Sequence, residues 1–238
     1  MTTREFSNEF DTLLNSYSQT FDSGKGEGGT DIILDEYQKS KFLTDAQEQL
    51  ILSYYNGKNS YLESFEQTEE MRRYLGTLVR TEKLTPEENT SDLILIDENS
   101  AVIALPSRLW FITYEKVKFA NDAGTCAAGK SAQVIPTTQD NLYRTLENPF
   151  KGPSLRRVLR LDIESNQIEL ISKYKIAEYT VRYLEYVSPI VLSDLEEGLS
   201  IRGVDTETEC AFPEPLHRTI LELAVALAKN AFSKQVKQ

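Results

Sequence analysis

Histidine, cysteine and tryptophan are nearly missing from this chain, whose 238 residues hold one His, two Cys and one Trp. With His217 as the only imidazole and no serine-centred elbow, the sequence supports no argument for a Ser-His-Asp triad. His217 is expected to cap or pack at the start of the last helix. Cys126 and Cys210 lack finger spacing, and zinc draws about four His, Cys or carboxylate ligands, so no metal is assigned. The two cysteines make one bridge at most where a secreted scaffold carries several, which fits a reducing compartment. No run approaches the roughly 18 consecutive apolar residues that span a bilayer. Met1-Thr2-Thr3-Arg4-Glu5-Phe6 also lacks the basic start and apolar run of a signal peptide. The expectation is a soluble protein made in a cytoplasm, with no membrane partner and no cofactor.

Positive charge is scarce as well, since 26 Lys and Arg stand against 37 Asp and Glu for a net charge of −11. Phosphate contacts need clustered Lys and Arg, so this balance opposes wrapping around a nucleic acid. It still suits a wall past which DNA slides without being gripped. The remainder is ordinary, with 40% hydrophobic and 26% charged residues, enough to build a core without staples.

Phe6, Phe10, Leu13, Leu14, Tyr17 and Phe21 recur at helical spacing and predict a first helix with one apolar face. Its Asn-, Ser- and Thr-rich polar face has weak intrinsic helicity, so packing must hold it. Residues 23–30 contain four glycines and read as a flexible loop, which would let the first helix reach a neighbouring subunit. A second helix is expected from Thr44 to Tyr55, ended by Asn56-Gly57. A third is expected from Thr68 to Thr81, with Met71, Tyr74, Leu75, Leu78 and Val79 as its apolar face.

From Leu93 the period becomes that of strands. Leu93 to Asp97 and Ala101 to Leu105 read as a hairpin, and Leu109 to Phe119 as a third strand. On that strand Trp110, Ile112, Tyr114 and Lys116 should face opposite Phe111, Glu115 and Val117. Asp122 to Ser131 reads as a loop and Thr137 to Glu147 as a short helix. Leu155 to Ile163, Ile168 to Ile171 and Tyr174 to Tyr186 follow as strands, then a short one at Ile190-Val191-Leu192. Pro215 opens the last helix, striped by Leu216, Ile220, Leu223, Ala224, Leu227, Ala228 and Ala231. The order predicts an α+β fold: N-terminal helices, a central, mostly antiparallel β-sheet with an inserted helix, and a long C-terminal amphipathic helix. An N-terminal helical region over residues 1–90 and an α+β core over 91–238 are expected, within two domains or one.

Gly124-Thr125-Cys126-Ala127-Ala128-Gly129-Lys130-Ser131 matches the phosphate-binding expression G-x-x-x-x-G-K-[ST]. The chemistry requires a helix starting at the Lys, whose N–H groups and dipole hold the phosphates. Pro136 would break that helix, so a nucleotide-binding enzyme is the alternative reading and an inter-strand loop the favoured one. Lys151, Arg156, Arg157 and Arg160 form the one local basic concentration. On a strand Arg156 and Arg160 share a face, and Arg157 points the other way with the leucines. Asp205, Glu207 and Glu209 alternate and share a face if extended. The basic set suits phosphates or an acidic partner such as the Asp205–Glu209 edge of another copy. An ordinary exposed face and a solvated acidic edge are the plainer accounts of the same residues.

The segment Leu146 to Pro153, then Arg157-Val158-Leu159-Arg160-Leu161, Tyr179 to Leu184, Ser188 to Leu192 and Pro213-Glu214-Pro215-Leu216-His217 follow in a telling order. This order, over about Leu93 to Lys234, resembles the head–tail connector (ring) proteins of crAss-like bacteriophages. The resemblance implies a non-enzymatic virion subunit, assembled in the host bacterial cytoplasm. It further implies a homo-oligomeric ring, expected to be twelve-fold, between the portal protein and adjacent tail or ring proteins, with double-stranded DNA passing through. It transfers no catalytic or ligand residues.

Overall fold

A computed structural model describes residues 1–21, 33–58, 68–87, 96, 99–123, 126–164 and 166–235. Its element order is α+β, as the sequence predicts, with five helices and seven strands among the described residues. The glycine-rich 23–30 stretch lies outside them. So does the expected strand over residues 93–97, except Ile96, and the expected boundary near residue 90. The chain forms two compact units, one of residues 1–77 and 187–238, the other of residues 78–186.

The first unit is helical. α1 (Thr3–Phe21) buries Phe6, Phe10 and Leu14, three residues of its predicted stripe. It packs on the last helix and on α2 of its own chain, where the sequence suggested reach toward a neighbour. α2 spans Glu36–Asn56 and starts two turns before the expected Thr44. Asp35 caps it, accepting the Gln38 N–H while the Gln38 side chain returns to the Asp35 N–H, so two orphan donors are satisfied reciprocally. Thr44 is therefore an interior residue and not a cap. At the other end Gly57 adopts a left-handed φ of 69°, as the Asn-Gly stop predicts.

The helix α3 (Glu69–Leu75) ends before the expected Thr81, because Gly76 opens a single 3-10 turn. The β-branched Thr77, Val79 and Thr81 are poor helix formers, and Val79 to Leu84 pair instead with a strand of the second unit's sheet. α5 (Glu214–Gln235) carries Pro215 in its first turn and buries Leu216, Ile220, Leu221, Ala224, Val225 and Ala228. It packs on α2 and α1.

Ile190-Val191-Leu192 was expected to be a strand. It is buried, but a single isolated bridge, between Val191 and Thr208, joins it to other backbone among the described residues. The polar groups of Ile190 and the Leu192 N–H go to side chains of α2. The Thr44 hydroxyl sits 3.1 Å from the Ile190 N–H and 3.3 Å from its carbonyl. The Ser40 hydroxyl accepts the Leu192 N–H at 3.0 Å while donating to the Glu36 carbonyl. The Gln47 amide donates to the Ser188 carbonyl. Ser40, Thr44 and Gln47 are one helical stripe. Lys39 is buried on the same helix and joins Glu36 to Asp11 of α1. Burial works against its charge, but the two carboxylates prevail and raise its pKa.

The second unit is a seven-stranded sheet in the order β1-β7-β3-β4-β5-β6-β2. The strands are β1 (Val79–Leu84), β2 (Ala101–Ala104), β3 (Leu109–Phe119), β4 (Ser131–Pro136), β5 (Arg157–Glu164), β6 (Gln167–Ile171) and β7 (Ile176–Glu185). All neighbours are antiparallel except β4 and β5, which run parallel across α4 (Gln139–Glu147). The expected inserted helix is thus a crossover, as a parallel pair requires. Side chains from one face of the strands meet in one core that includes Ile103, Val117, Val134, Val158, Leu170, Tyr179 and Val181. On the opposite face Leu142 and Leu146 of α4 pack against Leu159, Leu161 and Ile171.

One expectation changes inside this sheet. β3 carries register shifts against β7, one of them between Ile112 and Tyr114. A bulge adds a residue and reverses the alternation beyond it. Ile112 therefore joins the core, while Tyr114 is about half exposed and Lys116 faces outward. The phosphate-loop motif keeps its favoured reading, an inter-strand loop between β3 and β4. Ser131 begins strand β4, so no helix starts at Lys130. Lys130 instead lies at the hairpin into β4, where its N–H bonds the Ala127 carbonyl and its carbonyl accepts the Phe119 N–H. The nucleotide reading is withdrawn, since strand N–H groups are committed to neighbours and converge on no anion. Gly124 and Thr125 lie outside the described residues.

Candidate functional site

The basic residues fall into two settings. Arg160 projects from β5 into the sheet core beside Val158, at only 13% side-chain exposure. Its guanidinium meets Glu115 of β3 at 2.5 Å and Asp162 at 3.2 Å. The second Glu115 oxygen accepts the Tyr179 hydroxyl at 2.7 Å. Burial works against the Arg160 charge, but Glu115 and Asp162 outweigh it and raise its pKa. Burial, with the Glu115 charge added, raises the Tyr179 pKa far above the ordinary phenol range. Glu115, Arg160 and Tyr179 thus form a polar knot within an apolar face, in which the buried Arg160 Nε, 3.2 Å from Asp162, makes no hydrogen bond among the described residues. The strand alternation did place Glu115 beside Val117, and a carboxylate on an apolar face was the signal that a cation must join it.

Tyr183 makes a smaller pairing, donating to Glu82 of β1 at 2.6 Å. Burial first, then Glu82, pushes its pKa up to about 12. An unfolded tyrosine titrates near pH ~10, so the folded chain holds this proton more tightly. The stability from this group is complete below pH ~10 and is lost as pH rises toward 12. Tyr183→Phe is expected to cost about 1 kcal/mol at pH 7. The difference from wild type should shrink toward zero by pH ~11–12 in urea titrations followed by Trp110 fluorescence. A gap that persists unchanged at high pH would contradict this assignment.

Lys151, Arg156 and Arg157 lie outside the knot. Arg156 is at the tip of a tight turn closed by Ser154 and Arg157, since the strand begins at Arg157 and not at Leu155. Lys151 and Arg156 are exposed. The Arg157 guanidinium donates to the Phe150 carbonyl, which ties it to the turn after α4. That turn is built tightly. The Asn148 side chain accepts the Phe150 N–H at 2.9 Å, and its carbonyl accepts from Lys151 and Gly152. A Cβ on Gly152 would lie 3.2–3.4 Å from three carbonyl oxygens, so the glycine permits a close backbone approach. Phe150 is left 86% exposed and Tyr143 of α4 73% exposed. Sequence reasoning named the cations here but not these aromatics.

Asp205, Glu207 and Glu209 are all exposed, in an irregular segment of the first unit. The Leu195 N–H bonds the Asp205 carbonyl, and the Asp194 carboxylate accepts the Glu207 N–H. This brings a second acidic run, Asp194, Glu196 and Glu197, beside the predicted one, a pairing that the sequence order hides. Glu207 also accepts the Thr3 hydroxyl. Leu199, between the two runs, is 41% exposed. Among the described residues no group of three or more His, Cys, Asp or Glu could hold a metal ion, and no helix is long and apolar enough to cross a membrane. His217 packs: it is buried, tilted against Phe6 and bonded to the Phe212 carbonyl at 2.8 Å. Cys126 and Cys210 are free thiols.

The comparisons with known proteins agree along the whole chain. Residues 1–238 match the family described as phage tail ring protein 3/4. Ring protein 3 of Bacteroides phage crAss001 is 51% identical over 230 residues, covering 96% of this chain and 95% of that protein. Ring protein 4/5 of the same phage is 31% identical over 242 residues, covering 98% and 94%. The resemblance noted in the sequence is thereby placed: this chain belongs to the phage tail ring protein 3/4 family, as a structural ring protein of the virion and not an enzyme.

Proposed function

We propose that copies of this chain close into a twelve-membered ring stacked between the portal and the tail, assembled in the host cytoplasm, with double-stranded DNA passing through the bore. The chain-long match to tail ring proteins carries this reading. Two further features support it. The net charge of −11 suits a conduit, because a wall that repels phosphate lets DNA move without being held. Two similar ring proteins occur in one related phage, which supports a stack in which unlike rings adjoin. The portal protein and adjacent tail or ring proteins are then the axial partners, and the chain itself the lateral one. Electron microscopy of intact particles tests this directly. Twelve copies of the chain in one ring between portal and tail are expected. A particle without the chain, or with it elsewhere, would remove the proposal.

A further inference from the structure

We infer that the knuckle formed by Phe150, with Tyr143, Lys151, Arg156 and Arg157, docks onto the acidic Asp194–Glu209 segment of an adjacent copy of this chain. This rests on the ring reading above and names the lateral contact it needs. A ring is built from a heterologous interface, in which two different surfaces of one chain meet between neighbours. Such a chain must carry both halves, and this one carries two that match.

The first half is an aromatic held out by rigid backbone. Phe150 is 86% exposed although Asn148, Gly152 and Arg157 fix the turn beneath it. A large apolar side chain presented without freedom to fold back is the form a binding anchor takes, because little ordering entropy remains to be lost. Its cations, Lys151 and Arg156, are exposed beside it in sequence. The second half has the inverse pattern. Six exposed carboxylates, at 194, 196, 197, 205, 207 and 209, accompany the exposed Leu199. An apolar contact rimmed by opposite charges fits the anatomy of a protein interface. DNA is the weaker occupant. Arg160 is neutralised by Glu115 and Asp162, and on α4 the carboxylates of Asp140 and Glu147 offset the one cation, Arg144, which weakens the pull on phosphates.

Full-length chain carrying p-benzoylphenylalanine at position 150, mixed with isotopically heavy chain and irradiated as assembled, is the direct test. Adducts between light and heavy copies within residues 194–209 are expected. Phe150→Ser should raise the concentration needed for assembly about tenfold or more, with unchanged circular dichroism because the side chain is exposed. Lys151→Glu with Arg156→Glu, both exposed and outside the bonds that hold the turn, should also block assembly, and adding Asp205→Lys and Glu209→Lys to the same chain should restore it. Adducts elsewhere, adducts on nucleic acid, or Phe150→Ser assembling within about twofold of wild type would overturn the docking. If rings still form in those cases, the ring reading stands. A wild-type chain that never self-assembles and is absent from particles overturns both.

Discussion

Replacing Glu115 by alanine is expected to destabilise the sheet unit by about 3–5 kcal/mol, because it strands a buried guanidinium. Arg160 is 13% exposed and Glu115 8% exposed in their side chains, so neither charge is well hydrated. The remaining partner, Asp162, is 68% exposed and 3.2 Å away. It is largely solvated and cannot neutralise Arg160 alone. Tyr179 loses its acceptor in the same variant. Urea titration followed by the single tryptophan, Trp110 on β3, reads this unit. Replacing Glu115, Arg160 and Tyr179 together by Met, Met and Phe should recover most of the loss, since no unpaired polar group is then buried. A loss below about 1 kcal/mol in Glu115→Ala would mean that water reaches the guanidinium.

The second large effect lies in the helical unit. Ser40→Ala with Thr44→Val is expected to cost about 2–5 kcal/mol in total. Each substitution removes the acceptor of a buried backbone N–H, at Leu192 and Ile190 respectively. A helix cannot supply these partners from its backbone, whose groups are already bonded along its own axis. Only side chains can, and hydroxyls at positions 40 and 44 reach the 190–192 segment at the same side. Valine keeps the shape of threonine, so the Thr44 change isolates the hydrogen bonds from packing. Circular dichroism at 222 nm follows this unit, since among the described residues α1, α2, α3 and α5 belong to it and α4 to the other. If the double variant melts within about 0.5 kcal/mol of wild type, the 190–192 segment is held by apolar burial alone.

Much of the fold was legible because local rules were obeyed. The stripe of α1, the Asn-Gly stop of α2, the proline start of α5 and the strands β3 and β6 follow from spacing and turn chemistry. Where local rules misled, a distant partner had changed the meaning of a residue. The first turns of α2 were missed because Ser40, Thr44 and Gln47 make its buried face polar, which blurs the apolar period. Residues 79–81 read as helix until β7 offers six paired positions. The face assignment of Ile112 failed at a bulge, which no composition marks.

The candidate interface divides in the same way. Lys151, Arg156, Arg157, Arg160, Asp205, Glu207 and Glu209 stood out as charge, and charge is countable in a string of letters. Which of them are free is not countable. Arg160 meets a carboxylate 45 positions away, while Lys151 and Arg156 remain in water.

Composition, periodicity and order by themselves determined the α+β class and the likeness to ring proteins, because each depends on which residues are present and how they repeat. The tertiary structure alone decided that Lys130 leads into a strand, that Glu115 captures Arg160, and that Phe150 is held out into solvent. Those outcomes depend on which distant groups satisfy each buried donor and charge, and no local window contains that information.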